Sequence, residues 1–231
     1  MKYFGFLALL FFASTAQAEP IDHAKILTSA TSVMHEILDS PDETIPSGLV
    51  AKAKAIIIFP TMLKGGFMFA VRYGRGVVTA RSATTGEWSP PSFMTTVGGS
   101  FGLQIGAEAV DLILLVMTQR GIDGLLLDKF TLGGDVAVAA GPVGRHAEAS
   151  TDLMMQGEIY SYSRSKGAFA GMSLDGTILG TDHDSNKLYY GKVYTPEDIL
   201  LDGKAKNLPE TTRRFIKEMG RVAPPQRAPS R

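Results

Sequence analysis

At 231 residues, with 45% hydrophobic and 20% charged residues, the chain is long enough for one large domain and too apolar for wholesale disorder. Lysine plus arginine equals aspartate plus glutamate, at 23 each, which excludes a global field that would draw the protein to nucleic acid or anionic lipid. Any such attraction must come from a local patch. The chain has no cysteine, which excludes disulfides and an acylated-cysteine anchor, so a packed core must supply the stability.

The first eighteen residues read as a secretory leader rather than as fold. Lys2 is a short positive region, residues 3–13 are apolar, and Ala16-Gln17-Ala18 is a small-x-small cleavage site. Cleavage is expected between Ala18 and Glu19. The alternative, a retained anchor, needs about 20 apolar residues, more than this run supplies.

Residues 21–38 place apolar side chains at helical spacing on one face, and Pro41 predicts a stop near Asp39. A short helix is expected near residues 47–54. Residues 55–59 are continuously apolar and mostly β-branched, a buried strand ended by Pro60. Two strands follow, over 66–71 and 76–81, joined by a turn at Tyr73-Gly74-Arg75. Pro90 and Pro91 mark a loop. A glycine-interrupted apolar stretch over 93–118 closes on a buried strand at 111–117. A short helix is placed over 119–128, and strands over 135–140, 158–164, 169–174 and 177–179, with Asp175-Gly176 as a hairpin turn. Thr195-Pro196-Glu197-Asp198 is a helix start, with Thr195 as N-cap and Pro196 in the first turn. A last helix covers 208–219, and residues 223–231 form a basic, proline-rich disordered tail. The reading is α+β: one domain over 19–222, with a twisted, mostly antiparallel sheet flanked by N-terminal and C-terminal helices.

Six basic residues, Lys52, Lys54, Lys64, Arg72, Arg75 and Arg81, follow one another with no acid between the first and the last. With Lys25 of the first helix they are the candidate phosphate-contacting set, because arginine grips phosphate bidentately and lysine acts as a point charge. Strand alternation scatters such a set unless the register brings it together. Tyr160 and Tyr162 alternate with serines and share a face, which suits either a wet interface or a buried pair.

Several strings, in order, carry a resemblance. They are Ile45-Pro46, Ala51-Lys52-Ala53-Lys54-Ala55-Ile56, Phe59-Pro60 and Lys64-Gly65-Gly66. Gly99-Ser100-Phe101-Gly102-Leu103-Gln104-Ile105-Gly106 and Asp111 come next, then Leu132-Gly133-Gly134-Asp135 and Ala139-Ala140-Gly141-Pro142-Val143-Gly144-Arg145. Tyr160-Ser161-Tyr162-Ser163-Arg164-Ser165-Lys166-Gly167, Phe169-Ala170-Gly171 and Tyr189-Tyr190-Gly191 complete the set. From about Ala24 to Leu200 this resembles the SYLF domain family. The resemblance implies a lipid-binding module without cofactor or catalysis. Its eukaryotic relatives bind phosphoinositides and some bind actin, and its bacterial relatives are typically exported. This chain departs from the pattern in lacking a lipobox cysteine and in having Lys25 as the one basic residue of its first helix.

Some motifs point to rival chemistries. Gly98-Gly99-Ser100-Phe101-Gly102 fits G-x-S-x-G, which makes Ser100 a nucleophile only if a helix follows it and acid and histidine partners converge, with His146 and His183 available. Ser163 to Lys166 fits S-x-x-K without its companion motifs. His35-Glu36-Ile37-Leu38-Asp39 is a degenerate zinc pattern, and Asp182 to Asn186 imitates the start of a calcium loop but reads as a solvated turn. The expectation is a non-enzymatic protein binding phospholipid at a membrane surface in the periplasm or cell envelope. The alternatives are a protein-partner module, or a hydrolase using Ser100.

Overall fold

The apolar stripe near the start of the chain folds as helix α1 (His23–Asp39), started by Asp22, whose carboxylate accepts the Lys25 N–H at 2.9 Å. The computed structural model describes residues 21–39, 45–67, 69–101, 106–144, 157–165 and 167–224, so the expectations for the leader and for cleavage at Ala18 lie outside the described residues. After α1 come α2 (Ser47–Lys52), β1 (Ala55–Phe67), β2 (Phe69–Ala80), β3 (Ser92–Phe101), β4 (Gly106–Val116), α3 (Gln119–Leu125), β5 (Lys129–Thr131), β6 (Val138–Ala140) and β7 (Ile159–Ser165). The chain continues through β8 (Ala168–Gly171), β9 (Ile178–Thr181), α4 (His183–Tyr190), α5 (Pro196–Leu200) and α6 (Glu210–Val222).

The nine strands of the described residues join one sheet, in the order β5-β9-β3-β2-β1-β4-β7-β6, with β8 off this path on β7. Pairing is antiparallel except between β6 and β7. One edge of β7 takes β4; the other takes β6 along Ile159 to Ser161 and β8 along Tyr162 to Ser165. The α+β reading with helices at both ends therefore holds.

Both faces of the sheet are apolar. On the helix face, Leu27, Val33, Met34 and Ile37 of α1 and Phe215 and Met219 of α6 pack on Ile56, Ile58, Val77, Ile113 and Leu115. On the opposite face, Ile57, Phe59, Val78, Leu112 and Leu114 meet Ile122 and Leu125 of α3 and Leu200 of α5. The alternation in β1 and β4 thus feeds two cores, which is why their sequences read as unbroken apolar runs. Helix α5 starts on Thr195 as the sequence predicts, and the cap is a reciprocal capping box: Asp198 N–H donates to Thr195 Oγ1, and Thr195 N–H donates to the Asp198 carboxylate.

The structure corrects the strand map at several points. Pro60 does not end β1. It lies in a bulge where the register shifts between Phe59 and Met62 and Thr61 takes a φ of 59°. A residue without an N–H is tolerated at a bulge because no ladder bond is needed there. Nor is there a turn at residues 73–75; β2 runs straight through. Gly76 serves this bulge: a Cβ there would stand 2.1 Å from Ile58 O and 2.8 Å from Phe59 Cα. The Asp175-Gly176 turn exists, with Gly176 at φ 75°, but it is no hairpin. It separates β8, on one margin of the sheet, from β9, which pairs with β3 and β5. Residues 182–186 open α4 instead of forming a solvated turn, and the buried Asn186 side chain accepts Phe93 N–H and donates to Ser92 Oγ. Strand β5 carries too few residues to show a period.

Residues 223 and 224, read as the start of the tail, are docked. The Arg81 guanidinium donates to Ala53 O, Gly86 O, Ala223 O and Pro224 O and stacks 4.3 Å over Trp88. Trp88 Nε1–H donates to Ala223 O at 2.9 Å.

Candidate binding face

The seven basic residues do not form one patch. Lys52 and Lys54 are exposed where β1 begins, and Arg81 is half-buried beside them in the carbonyl clamp just described. Along β2 from Ala80, which pairs with Ala55, Arg75 lies about 17 Å away and Arg72, which pairs with Lys64, about 26 Å away. Those two arginines also face opposite ways. Arg75 is exposed on the helix face, whereas Arg72 is buried on the other. The backbone of Lys64 lies opposite Arg72, and its side chain is outside the described residues. Lys25 is exposed on α1, but the apolar face of that helix is covered by the sheet and α6, so it has no free apolar side to insert into a membrane.

What the register does bring together is an apolar row. Ala109 of β4 pairs with Leu63, Leu63 with Tyr73, Tyr73 with Val97, and Val97 with Ile178 of β9. Partners across an antiparallel ladder share a face, so these five side chains lie side by side over about 19 Å. All are exposed, the four large ones from 40% at Tyr73 to 60% at Leu63, and Val71 adds to the patch one step along β2. Arg75 borders it, 5.8 Å from the Tyr73 ring. The row lies on the helix face, beyond the part of the sheet that α1 covers. The signal for it was present as the alternation of Val71, Tyr73 and Arg75. Reading a turn across those residues hid it.

The family-motif residues form the interior support. Tyr160 and Tyr162 are both buried in the helix-face core, so they are core and not a wet interface. The Tyr162 ring lies against Gly141: a Cβ there would stand 2.0 Å from Tyr162 Cζ. Gly171 in turn makes room for the Gly141 carbonyl, 2.3 Å from where its Cβ would be. Ser161 Oγ stands within hydrogen-bond reach of Ala139 O and Met172 O, tying β6 and the end of β8 to β7. Asp111 accepts Thr61 N–H at the bulge at 2.8 Å and Arg164 Nε–H at 2.7 Å, and Arg164 also pairs with Glu36 of α1. Gly133, Gly144 and Gly167 all take positive φ, and Asp135 caps Thr131 N–H at 2.7 Å. Pro142 and Ser165 are half-buried, and Ser163 lies opposite Ala170. Gly99 lies in β3 with open space above it, and Gly106 opens β4. Gly102, Gln104 and Arg145 are outside the described residues.

Burial raises the phenol of Tyr162 far above its usual range, with the neighbouring Tyr160 adding to the effect. Its hydroxyl has no hydrogen-bond partner among the described residues. Removing an unsatisfied buried hydroxyl relieves a desolvation cost, so Tyr162→Phe is expected to stabilise the protein by about 1 kcal/mol in urea unfolding.

The rival chemistries find no matching geometry among the described residues. Ser100 lies in β3, and the next element is strand β4 rather than the helix a nucleophile elbow requires. His183 pairs with Asp128 at 2.8 Å, and His146 is outside the described residues. His35 pairs with Glu218 of α6 at 3.1 Å. No group of three or more metal-ligating side chains occurs among the described residues.

Comparison with known proteins decides the lineage. The family described as Ysc84, Las17-binding protein actin regulator, matches residues 97–222, more than half of the chain. An SH3 domain-containing protein of Schizosaccharomyces pombe is 38% identical over 190 residues, covering 81% of this chain and 43% of that protein. The chain belongs to the Ysc84, or SYLF, family. The human SH3 domain-containing YSC84-like protein 1 is 35% identical over 189 residues, 81% of this chain and 54% of that one. LAS seventeen-binding protein 3 of Saccharomyces cerevisiae is 36% identical over 189 residues, 80% of this chain and 40% of its own length. The chain thus spans about half the length of the curated Ysc84 relatives it matches. The Ysc84 match contains the Tyr162–Gly141–Gly171 column and the Asp111–Arg164 pair, so the residues that shape the sheet lie inside the shared domain.

Proposed function

We propose that this Ysc84-family protein is a non-catalytic binding module that docks on phospholipid surfaces in the cell envelope. The docking face is the exposed row on β4, β1, β2, β3 and β9. The observation that carries this is the in-register alignment of Ala109, Leu63, Tyr73, Val97 and Ile178, apolar and open to solvent. Contiguous apolar surface of this kind marks an interaction site. Magnitudes decide which force dominates. Fully burying a Leu, Val or Ile side chain contributes about 1.5–3 kcal/mol, and the half-exposed residues here would each gain roughly half of that. Arg75 beside an anionic surface contributes about 1 kcal/mol. Contact with the acyl boundary therefore outweighs headgroup charge, and Tyr73 suits the level where ring and phosphate meet. The phosphoinositide preference of the family's eukaryotic members would rest here on Arg75.

Liposome co-sedimentation of the protein with neutral and anionic vesicles tests this. The double variant Leu63→Ser, Val97→Thr is expected to bind at least tenfold more weakly, with its circular dichroism unchanged because both side chains are exposed. Arg75→Gln should cost about fivefold, on anionic vesicles alone. Unchanged binding of the double variant, or no binding of the parent protein to any vesicle at low salt, would refute the proposal. A protein partner on the same face is the second reading, favoured by the Las17-binding names of the relatives. It is supported if the double variant loses a saturable protein interaction while vesicles bind neither form.

A further inference from the structure

The other face of the same strands holds polar groups that the apolar row does not use. Arg72 is 6% exposed, its Nε has no hydrogen-bond partner among the described residues, and no acidic side chain among them pairs with it. Thr96 Oγ1 and Thr177 Oγ1 are also buried without a partner among the described residues. Three such groups in one place is unusual, because buried polar atoms are almost always hydrogen-bonded. A guanidinium taken out of water costs several kcal/mol unless a counter-charge meets it.

The three groups converge on Gly98. Arg72 is its direct partner across the β2–β3 ladder. Thr177 Oγ1 stands 2.9 Å from where a Cβ on Gly98 would be. Thr96 lies two residues away on the same strand and face, opposite Gly74, where a Cβ would come within 3.2 Å of the Thr96 methyl. The missing side chains at Gly98 and Gly74 thus let Thr177 and Thr96 seat close over the strands beside the guanidinium, which brings the three unpartnered groups onto one small area of the sheet. Met62 and Val110, both buried, make the neighbouring wall apolar, which strengthens any charge interaction formed there. The acid at this level of the sheet, Glu108, sits two strands from Arg72 with Lys64 between, about 10 Å away between backbones.

We infer that Arg72, Thr96 and Thr177 form a binding site for a phosphate-class oxyanion. The guanidinium supplies two parallel N–H donors, and the hydroxyls supply one donor each. A phosphate, free or as a monoester, offers enough acceptor oxygens for all of them. The site is on the opposite face from the apolar row and does not depend on membrane docking.

The test is thermal unfolding and calorimetric titration of the purified protein with inorganic phosphate, against sodium chloride at equal ionic strength. Phosphate at tenfold its dissociation constant is expected to raise Tm by about 3–5 °C with saturable, one-to-one binding. Arg72→Met should abolish that response. Thr177→Val, nearly isosteric and therefore folded, should weaken binding at least fivefold. A parallel arm with glycerol 3-phosphate separates the sources: a response equal to that of phosphate admits headgroup-type monoesters, and a response to inorganic phosphate alone restricts the site to the free ion. Both uphold the site. A phosphate response no larger than that of chloride, or one that persists unchanged in both variants, overturns it.

Discussion

Gly141→Ala is expected to destabilise the protein by about 3 kcal/mol or more, a large fraction of the roughly 5–15 kcal/mol that holds a typical domain folded. The added methyl would stand 2.0–2.4 Å from three atoms of the Tyr162 ring. That ring is fully buried in the helix-face core. Gly141 cannot retreat either, because its N–H donates to Ser161 O at 2.9 Å and its carbonyl is seated against Gly171. Urea unfolding of the single variant measures the cost. The double variant Gly141→Ala, Tyr162→Leu, which shortens the side chain that clashes, should recover more than 1 kcal/mol relative to the sum of the two single changes. Strict additivity would show that the column is not coupled.

Asp111→Ala should cost about 3 kcal/mol, with its effect spread over three elements. One carboxylate holds the amide of Thr61 in its left-handed conformation and two nitrogens of Arg164, Nε and Nη2, and Arg164 reaches Glu36 on α1. Removing it leaves a bulge amide and a mostly buried guanidinium short of an acceptor. Asp111→Asn keeps the shape but weakens the charge-assisted bond, so about half the loss is expected. Hydrogen exchange should then report faster opening at Thr61 and along the C-terminal turn of α1, while the α5 capping box keeps its protection. Equal protection at all three places would remove Asp111 from the role assigned to it.

The glycine strings and the Tyr-Ser string were legible as recurring together, but not why. The physical reason is contact: Gly171, Gly141 and Tyr162 stack in one column across β8, the residue after β6, and β7. No spacing rule in a single sequence reveals a contact made by the absence of a Cβ. Elements with strong local signals were legible, namely α1 with its stop at Asp39, α5 with its Thr195 N-cap, and β1 and β4 as apolar runs. The errors came where a local signal served a distant partner. Pro60 reads as a strand end but occupies a bulge held from β4. Gly74 and Gly76 read as a turn, but Gly76 gives space to that bulge and Gly74 to Met62 and Thr96. A turn there would split β2, and with it the alternation that puts Tyr73 and Arg75 on one side and Arg72 on the other. The basic run is legible in the sequence as a set without acids. Its dispersal followed from pairing register, which composition does not carry.

The latch at the far end of the sheet gives the molecule its own optical probe. Trp88 is the chain's one tryptophan, and its indole is held by a carbonyl 135 residues further along. Its emission therefore records whether the final helix is seated on the rest of the domain. A red shift at low denaturant, ahead of the loss of sheet ellipticity, would mark release of that helix as a separate early step.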